Sequence, residues 1–330
     1  MFSKNDILIE CVPNFSEGRN PAVIKALADE IRNTEFVQLL HIDTGYDANR
    51  TVYTYIGKPE AIVEATFKAI QKALELIDMQ THVGKHPRMG ACDVCPLIPY
   101  QNISIEEANK YVQQLGEKIG ALDIPVYLYE KSATTAERKN LAFLRKGEYE
   151  AISKKIKQAD WKPDFGPAIF NKKFGMMALG ARDFLIAYNI NLNTKDLNIG
   201  KKIAAQIRDK RNIGNDKFLQ NTKAIAWYIE EYGFVQISTN ITNFRYSPIF
   251  YVFDLVTQLA KEYNIEVNGS ELIGLIPKTA LLIDNSSNKH KESEKIDDAI
   301  QYLGLKKVFS FKKEERIIEY VLENTKNISD

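Results

Sequence analysis

The chain has 330 residues, 45% hydrophobic and 26% charged, and its 44 Lys and Arg against 43 Asp and Glu leave a formal net charge of +1. Such proportions exclude disorder for the body of the chain and suit a globular protein long enough for two domains. The charge balance argues against a nucleic-acid partner, and no apolar run approaches the roughly 20 residues that cross a bilayer, so a membrane is not expected either.

In chain order, Met1 to Asp6 lacks the apolar core of a signal peptide, and residues 7–12 read as a first strand ending at Pro13. Asn20-Pro21 then starts a helix with Ile24, Leu27, Ala28 and Ile31 on one face. Residues 36–42 and 51–56 read as strands, joined by a turn carrying Asp43, Gly45, Asp47, Asn49 and Arg50. Pro59 opens a long helix whose inner stripe is Val63, Phe67, Ile70, Leu74 and Ile77. The loop 81–90 precedes a strand at 94–98; a capping box at Ser104 and Glu107 starts the next helix, and 126–129 is a further strand. Thr134 and Glu137 repeat the cap pattern before a helical stretch near Tyr149, Ile152 and Ile156.

Residues 158–175 have little periodicity and read as a linker or a working loop. Beyond them, strands fall at 184–192, 224–229 and 235–241, and helices around 199–207, after Ser247-Pro248 and near Ile317, Tyr320 and Val321. The lysine-rich stretch 285–294 reads as a mobile surface loop. Close alternation of strands and helices indicates an α/β fold, an α+β sandwich.

Chemistry concentrates in the loop Thr81-His82-Val83-Gly84-Lys85-His86-Pro87-Arg88-Met89-Gly90. Pro87 biases His86 toward an extended backbone, and the neighbouring cations Lys85 and Arg88 disfavour its protonation, leaving a neutral base. The alternative is a polar loop whose histidines cap nearby backbone. A metal reading would use His82, His86, Cys92 and Cys95, but an i, i+3 pair on a strand points to opposite faces, and three cysteines are odd in number; buried, inert thiols and no metal are expected. In the second half, Asn189 and Asn191 share one strand side, and Gln236, Ser238 and Asn240 share another. Amides and hydroxyls there can read the hydrogen-bonding edge of a pterin, the alternative being a solvated sheet face. Phe170 beside Lys172 and Lys173 suits a flat, anionic ligand.

Several long motifs in order resemble the glutamate formimidoyltransferase family, the formiminotransferase part of formiminotransferase-cyclodeaminase. They include Glu10-Cys11-Val12-Pro13-Asn14-Phe15-Ser16-Glu17-Gly18, Asn49-Arg50-Thr51-Val52, His86-Pro87-Arg88-Met89-Gly90-Ala91 and Asp93-Val94-Cys95-Pro96. Further ones are Gly147-Glu148-Tyr149-Glu150, Pro163-Asp164-Phe165-Gly166-Pro167, Gly180-Ala181-Arg182 and Ala187-Tyr188-Asn189-Ile190-Asn191-Leu192, with Glu315-Arg316-Ile317-Ile318-Glu319-Tyr320 near the end.

The resemblance implies two ferredoxin-like lobes, placed at residues 1–181 and 182–330, in a cytoplasmic homodimer acting in histidine breakdown. The implied activity moves the formimino group from N-formimino-L-glutamate to tetrahydrofolate as co-substrate; transfer of a formyl group from N-formyl-glutamate is the alternative. Catalysis falls on His86, and a second, cyclodeaminase activity is not expected. The folate segment corresponds to Gly166-Pro167-Ala168-Ile169-Phe170-Asn171-Lys172-Lys173-Phe174-Gly175, joined by Asn189 and Asn191. Asp43, from its position, is expected to orient His86 or stabilise an amidinium. Arg50 and Arg88, with Ser238 and Asn240, are expected to hold the donor.

Overall fold

Leu8–Cys11 (β1) and, after Pro13, Asn14–Phe15 (β2) form one interrupted strand in the middle of a sheet. The computed structural model describes residues 2–212, 214, 216–282 and 291–326. Its chain divides into two units, Met1–Asp183 and Phe184–Asp330.

In the first unit, α1 (Pro21–Arg32) starts where the sequence predicts: the Asn20 side chain accepts from the Ala22 and Val23 amides, and Pro21 needs no partner for its missing N–H. The hairpin β3 (Val37–Gly45) and β4 (Arg50–Gly57) follows, then α2 (Pro59–Leu76) and β5 (Cys92–Gln101). The antiparallel order β3, β4, β1/β2, β5 with the two helices between is a split βαβ, the ferredoxin-like arrangement. The sheet then grows by two parallel strands. After α3 (Ile105–Gly120), whose Ser104–Glu107 capping box is formed, β6 (Val126–Leu128) makes the edge, and β7 (Met177–Ala181) inserts between it and β5.

Leu27, Ile31, Ile62, Ile70, Val112 and Leu115 fill the core under the helices. The buried stripe of α2 is shifted from the one the sequence suggests: Val63 and Ile70 are buried, joined by Ile62, Ala69 and Ala73, while Phe67 and Leu74 are only partly so, and Ile77 is buried just past the helix end. Short helices α4 (Leu141–Arg145) and α5 (Glu148–Lys155) pack with Trp161 over a separate cluster of Met89, Tyr127 and Met176.

Three expectations are corrected in this unit. Thr134 caps nothing; its hydroxyl donates to Asp164 Oδ1 at 2.7 Å, and α4 is capped by Asn140. Residues 158–175 are no linker, because Phe165 bridges Val126, Trp161 is buried and β7 follows within the same unit. Finally, Cys92 and Cys95 share one core. The β2–β5 register jumps from Phe15–Cys92 to Asn14–Val94, so Asp93 is the extra residue of a bulge that resets the alternation.

The second unit is a split βαβ as well. Strands β8 (Ile186–Leu192), β9 (Thr222–Ile229), β10 (Phe234–Ile241) and β11 (Val267–Ile273) lie in the order β11, β8, β10, β9, all antiparallel. Helices α6 (Leu197–Asn212) and α7 (Ile249–Lys261) bury Ile203, Ile207, Val252, Val256 and Leu259 against Tyr188, Ile190 and Ile237. Then come α8 (Glu292–Tyr302), α9 (Lys313–Arg316) and α10 (Ile318–Lys326). Of the stretch read as a mobile loop, residues 285–290 lie outside the described residues, and Glu292 begins α8.

Candidate active site

The loop 81–90 is held on several sides. Lys85 N–H donates to Asp47 O at 3.0 Å, Tyr149 N–H to Arg88 O at 2.9 Å, and the Ser16 hydroxyl to Gly90 O at 2.8 Å. Met89 N–H donates to Asp93 Oδ1 at 2.8 Å. Asp93 has no exposed surface, and its Oδ2 accepts from Arg145 Nε at 2.9 Å and also from Arg145 Nη2. The β5 bulge therefore does local work: it turns Asp93 so that one carboxylate fixes both the histidine loop and an arginine from α4.

His86 is half-buried in this frame. Its Nδ1 lies 2.7 Å from the Pro87 carbonyl, and Arg50 Nη1 lies 2.9 Å from Nδ1 and 2.8 Å from Nε2. A carbonyl only accepts, so the proton sits on Nδ1 and the lone pair is on Nε2, facing the Arg50 N–H. Burial first, then Arg50 and Arg145, push the imidazole pKa down to about 2. Arg50 itself is lowered to about 10 by burial and by Arg145, against the opposing pull of Asp93 and Asp43. His86 is thus neutral, as its sequence neighbours suggest, but for a different reason. Lys85 pairs with Asp47 at 3.0 Å, and the cations acting on His86 come from β4 and α4.

Arg88, expected to hold a substrate carboxylate, pairs instead with Glu148 at 3.0 Å and Glu150 at 2.6 Å, and its Nη2 also donates to the His82 carbonyl at 3.4 Å. It ties α5 to the loop. His82 is buried and donates from Nε2 to Asn49 O at 2.8 Å, and burial lowers its pKa; a cavity of about 540 Å³ opens beside it, lined also by Ser16, Glu17 and Arg19. Asp43 stands on β3, paired in register with Val52, its Oδ2 3.8 Å from His41 Nε2. The alternative metal set is not assembled: Cys95 Sγ lies 3.6 Å from Cys11 Sγ, and burial raises the Cys92 and Cys95 thiols far above their usual range. Among the described residues no group of three or more His, Cys, Asp or Glu could hold a metal.

The segment 166–175 borders the same loop. Gly175 bridges Gly90 and Asn171, Ala91 N–H donates to Phe174 O at 2.7 Å, and Met176 N–H to Met89 O at 3.1 Å. Gly175 has φ +83°, and a Cβ there would meet Met89 O at 2.1 Å, so only glycine allows this approach. Phe174 is fully buried, Phe170 lies 5.3 Å from the Tyr149 ring, and Ala168, Ile169, Lys172 and Lys173 are exposed. An exposed apolar patch beside lysines fits a flat ring with a carboxylate tail, although Lys173 also donates to Glu75 O at 2.8 Å.

In the second unit, the expected polar face exists, and Asn189 pairs directly with Ser238 across the strands. Its amides bond one another: Gln236 Nε2 donates to Asn191 Oδ1 at 2.9 Å and to Glu271 Oε2 at 3.1 Å, and Asn189 Nδ2 donates to Glu271 Oε2 at 3.3 Å. Asn240 is exposed at the strand end. The sequence reasoning missed Asp93, Arg145 and Glu271. The first two needed the bulge, which leaves no signature in residue type, and the third lies on a strand broken by Gly269.

Comparison with known proteins follows the same division. The N-terminal subdomain of the formiminotransferase domain matches residues 8–182, and the formiminotransferase domain itself matches 187–323. A glutamate formimidoyltransferase of Thermoplasma acidophilum is 42% identical over 278 residues, 83% of this chain and 90% of its own length; one from Streptococcus pyogenes serotype M1 is 41% identical over 276 residues, 83% and 91%. The formimidoyltransferase-cyclodeaminase of Gallus gallus is 45% identical over 329 residues, and the chain spans 96% of itself but only 60% of that protein. With both halves matched in order and the histidine loop built as described, the chain belongs to the formiminotransferase domain family.

Proposed function

We propose that this chain is a glutamate formimidoyltransferase, transferring the formimino group of N-formimino-L-glutamate to tetrahydrofolate. The observation that carries this reading is the likeness to the Thermoplasma acidophilum glutamate formimidoyltransferase, 42% identical over nine-tenths of that protein's length. The His86 geometry supplies a chemical reason for it. As the folate N5 bonds to the formimino carbon, it must lose a proton, and as the carbon–glutamate nitrogen bond breaks, that nitrogen must gain one. His86 Nε2 takes the first proton and delivers the second, with Nδ1–H held on the Pro87 carbonyl throughout. Arg50 holds donor carboxylate, Asp43 supports the cationic centre, and residues 166–175 with Asn189, Asn191, Ser238 and Asn240 bind the ligands. A cytoplasmic homodimer in histidine breakdown is the setting proposed for it.

The test is turnover with purified protein and tetrahydrofolate, comparing N-formimino-L-glutamate with N-formyl-L-glutamate. Formation of 5-formimino-tetrahydrofolate from the first, well above any product from the second, is expected. Product from the formyl donor alone would replace this reading with formyl transfer.

A further inference from the structure

Arg145 was not singled out by any sequence motif, yet it is one of the two cations that bear on His86. Strand pairing explains why. Phe15 of β2 pairs with Thr51 of β4 on one side and with Cys92 of β5 on the other, so Arg50 and Asp93 stand at the same end of flanking strands. Asp93 carries Arg145 through its Nε and Nη2. Among the described residues, Arg145 Nη1 and Arg50 Nε and Nη2 make no hydrogen bond, while Arg50 Nη1 covers His86 Nε2. Both arginine side chains are largely but not fully buried. Arg145 acts electrostatically on Arg50 as well as on His86, so two guanidinium groups with unused N–H donors lie near each other and near the imidazole, a combination suited to a carboxylate.

We propose that Arg50 and Arg145 grip the α-carboxylate of the amino-acid donor, and that Arg50, in turning onto it, uncovers Nε2 of His86 as the base. This rests on the transfer reading above. The choice of carboxylate follows from connectivity: the α-carboxylate sits on the carbon that carries the leaving nitrogen, so a grip next to His86 reaches it and not the γ-carboxylate. Binding neutralises the two cations that add to burial in keeping the free imidazole from protonating, and so raises its basicity once substrate is present. The other charges facing the loop are engaged. Asp93 is used by Arg145 and Met89, Lys85 by Asp47, and Arg88 by Glu148 and Glu150, while Asp43 acts on Arg50 alongside His41. The donor's carboxylate thus both places it and readies the proton acceptor.

The experiment is histidine NMR on the full chain, titrated with pH in the presence of L-glutamate or of 4-aminobutyrate, which lacks the α-carboxylate. L-Glutamate should move the His86 titration upward by at least about one pH unit, and 4-aminobutyrate should not. R145K keeps a cation for Asp93 but loses the free fork, so it should weaken L-glutamate binding by about tenfold and reduce the shift, with binding of a folate analogue unchanged. An equal shift with 4-aminobutyrate, or undiminished glutamate binding in R145K, overturns the proposal. Neither readout needs turnover, so a chain that fails to transfer formimino groups but passes these tests contradicts only the transfer reading.

Discussion

A buried carboxylate that holds both a backbone amide and an arginine is costly to remove. Asp93 is fully buried and is the partner of Arg145. Asp93→Ala leaves that guanidinium uncompensated and the Met89 amide unpaired, and the chain should lose about 3 kcal/mol of stability, read as a lowered urea midpoint. His86 has the opposite sign of interest. Its folded pKa lies below the ordinary 6.5, so at and above neutral pH it is uncharged whether folded or unfolded and contributes nothing. As pH falls through about 6.5 the unfolded chain takes up a proton that the folded site refuses, and stability declines. His86→Gln should flatten part of that decline between neutral and mildly acidic pH; an identical slope in the variant would count against a depressed histidine. Here the sequence was informative about which residue matters and misleading about why. The motif around Pro87 singles out His86, but the cations that tune it are 36 and 59 positions away, a proximity only strand pairing creates.

At the level of elements, what could be read was what local chemistry decides. The Asn20 cap, the Ser104–Glu107 box and the proline helix starts are encoded within four residues and appear as expected. Three strands went unread, the first being β2, only Asn14 and Phe15 beyond the break at Pro13. β7 is Met-Ala-Leu-Gly-Ala, buried throughout and without alternation, and β11 carries Asn268 and Gly269 with a register break. The bulge at Asp93 was equally silent, and it reverses the inference that Cys92 and Cys95 face apart. The segment 166–175 is intermediate: anchored by Phe174 and Gly175, yet exposed at Ile169, Lys172 and Lys173. Trypsin should cut after Lys172 or Lys173, and a bound folate analogue should slow that cleavage several-fold. Equal cleavage rates with and without the analogue would remove this segment from the folate site.

The whole molecule repeats one topology. Each unit contains a split βαβ in the order 4-1-3-2, although no repeat is visible in the letters; what recurs is element order, which the alternation of strand and helix signals does convey. Charge is also a property at this scale. The chain is nearly neutral, while the proposed donor and folate are both anionic, so in that reading attraction comes from Arg50, Arg145, Lys172 and Lys173, with Arg88 already paired with two glutamates. Raising ionic strength should lower kcat/KM for both substrates and affect kcat much less. Replacing Lys172 and Lys173 by glutamine should flatten the folate dependence alone; loss of the donor dependence instead would exchange the two ends of the site.

The most direct measurement is the rate at which His86→Ala forms 5-formimino-tetrahydrofolate from N-formimino-L-glutamate, beside the unaltered chain and His82→Ala. A proton-shuttling His86 predicts a kcat at least about 10²-fold lower in the first variant, with folate binding intact and a much smaller effect at His82. An undiminished kcat in His86→Ala, or equal losses at the two histidines, would contradict the account.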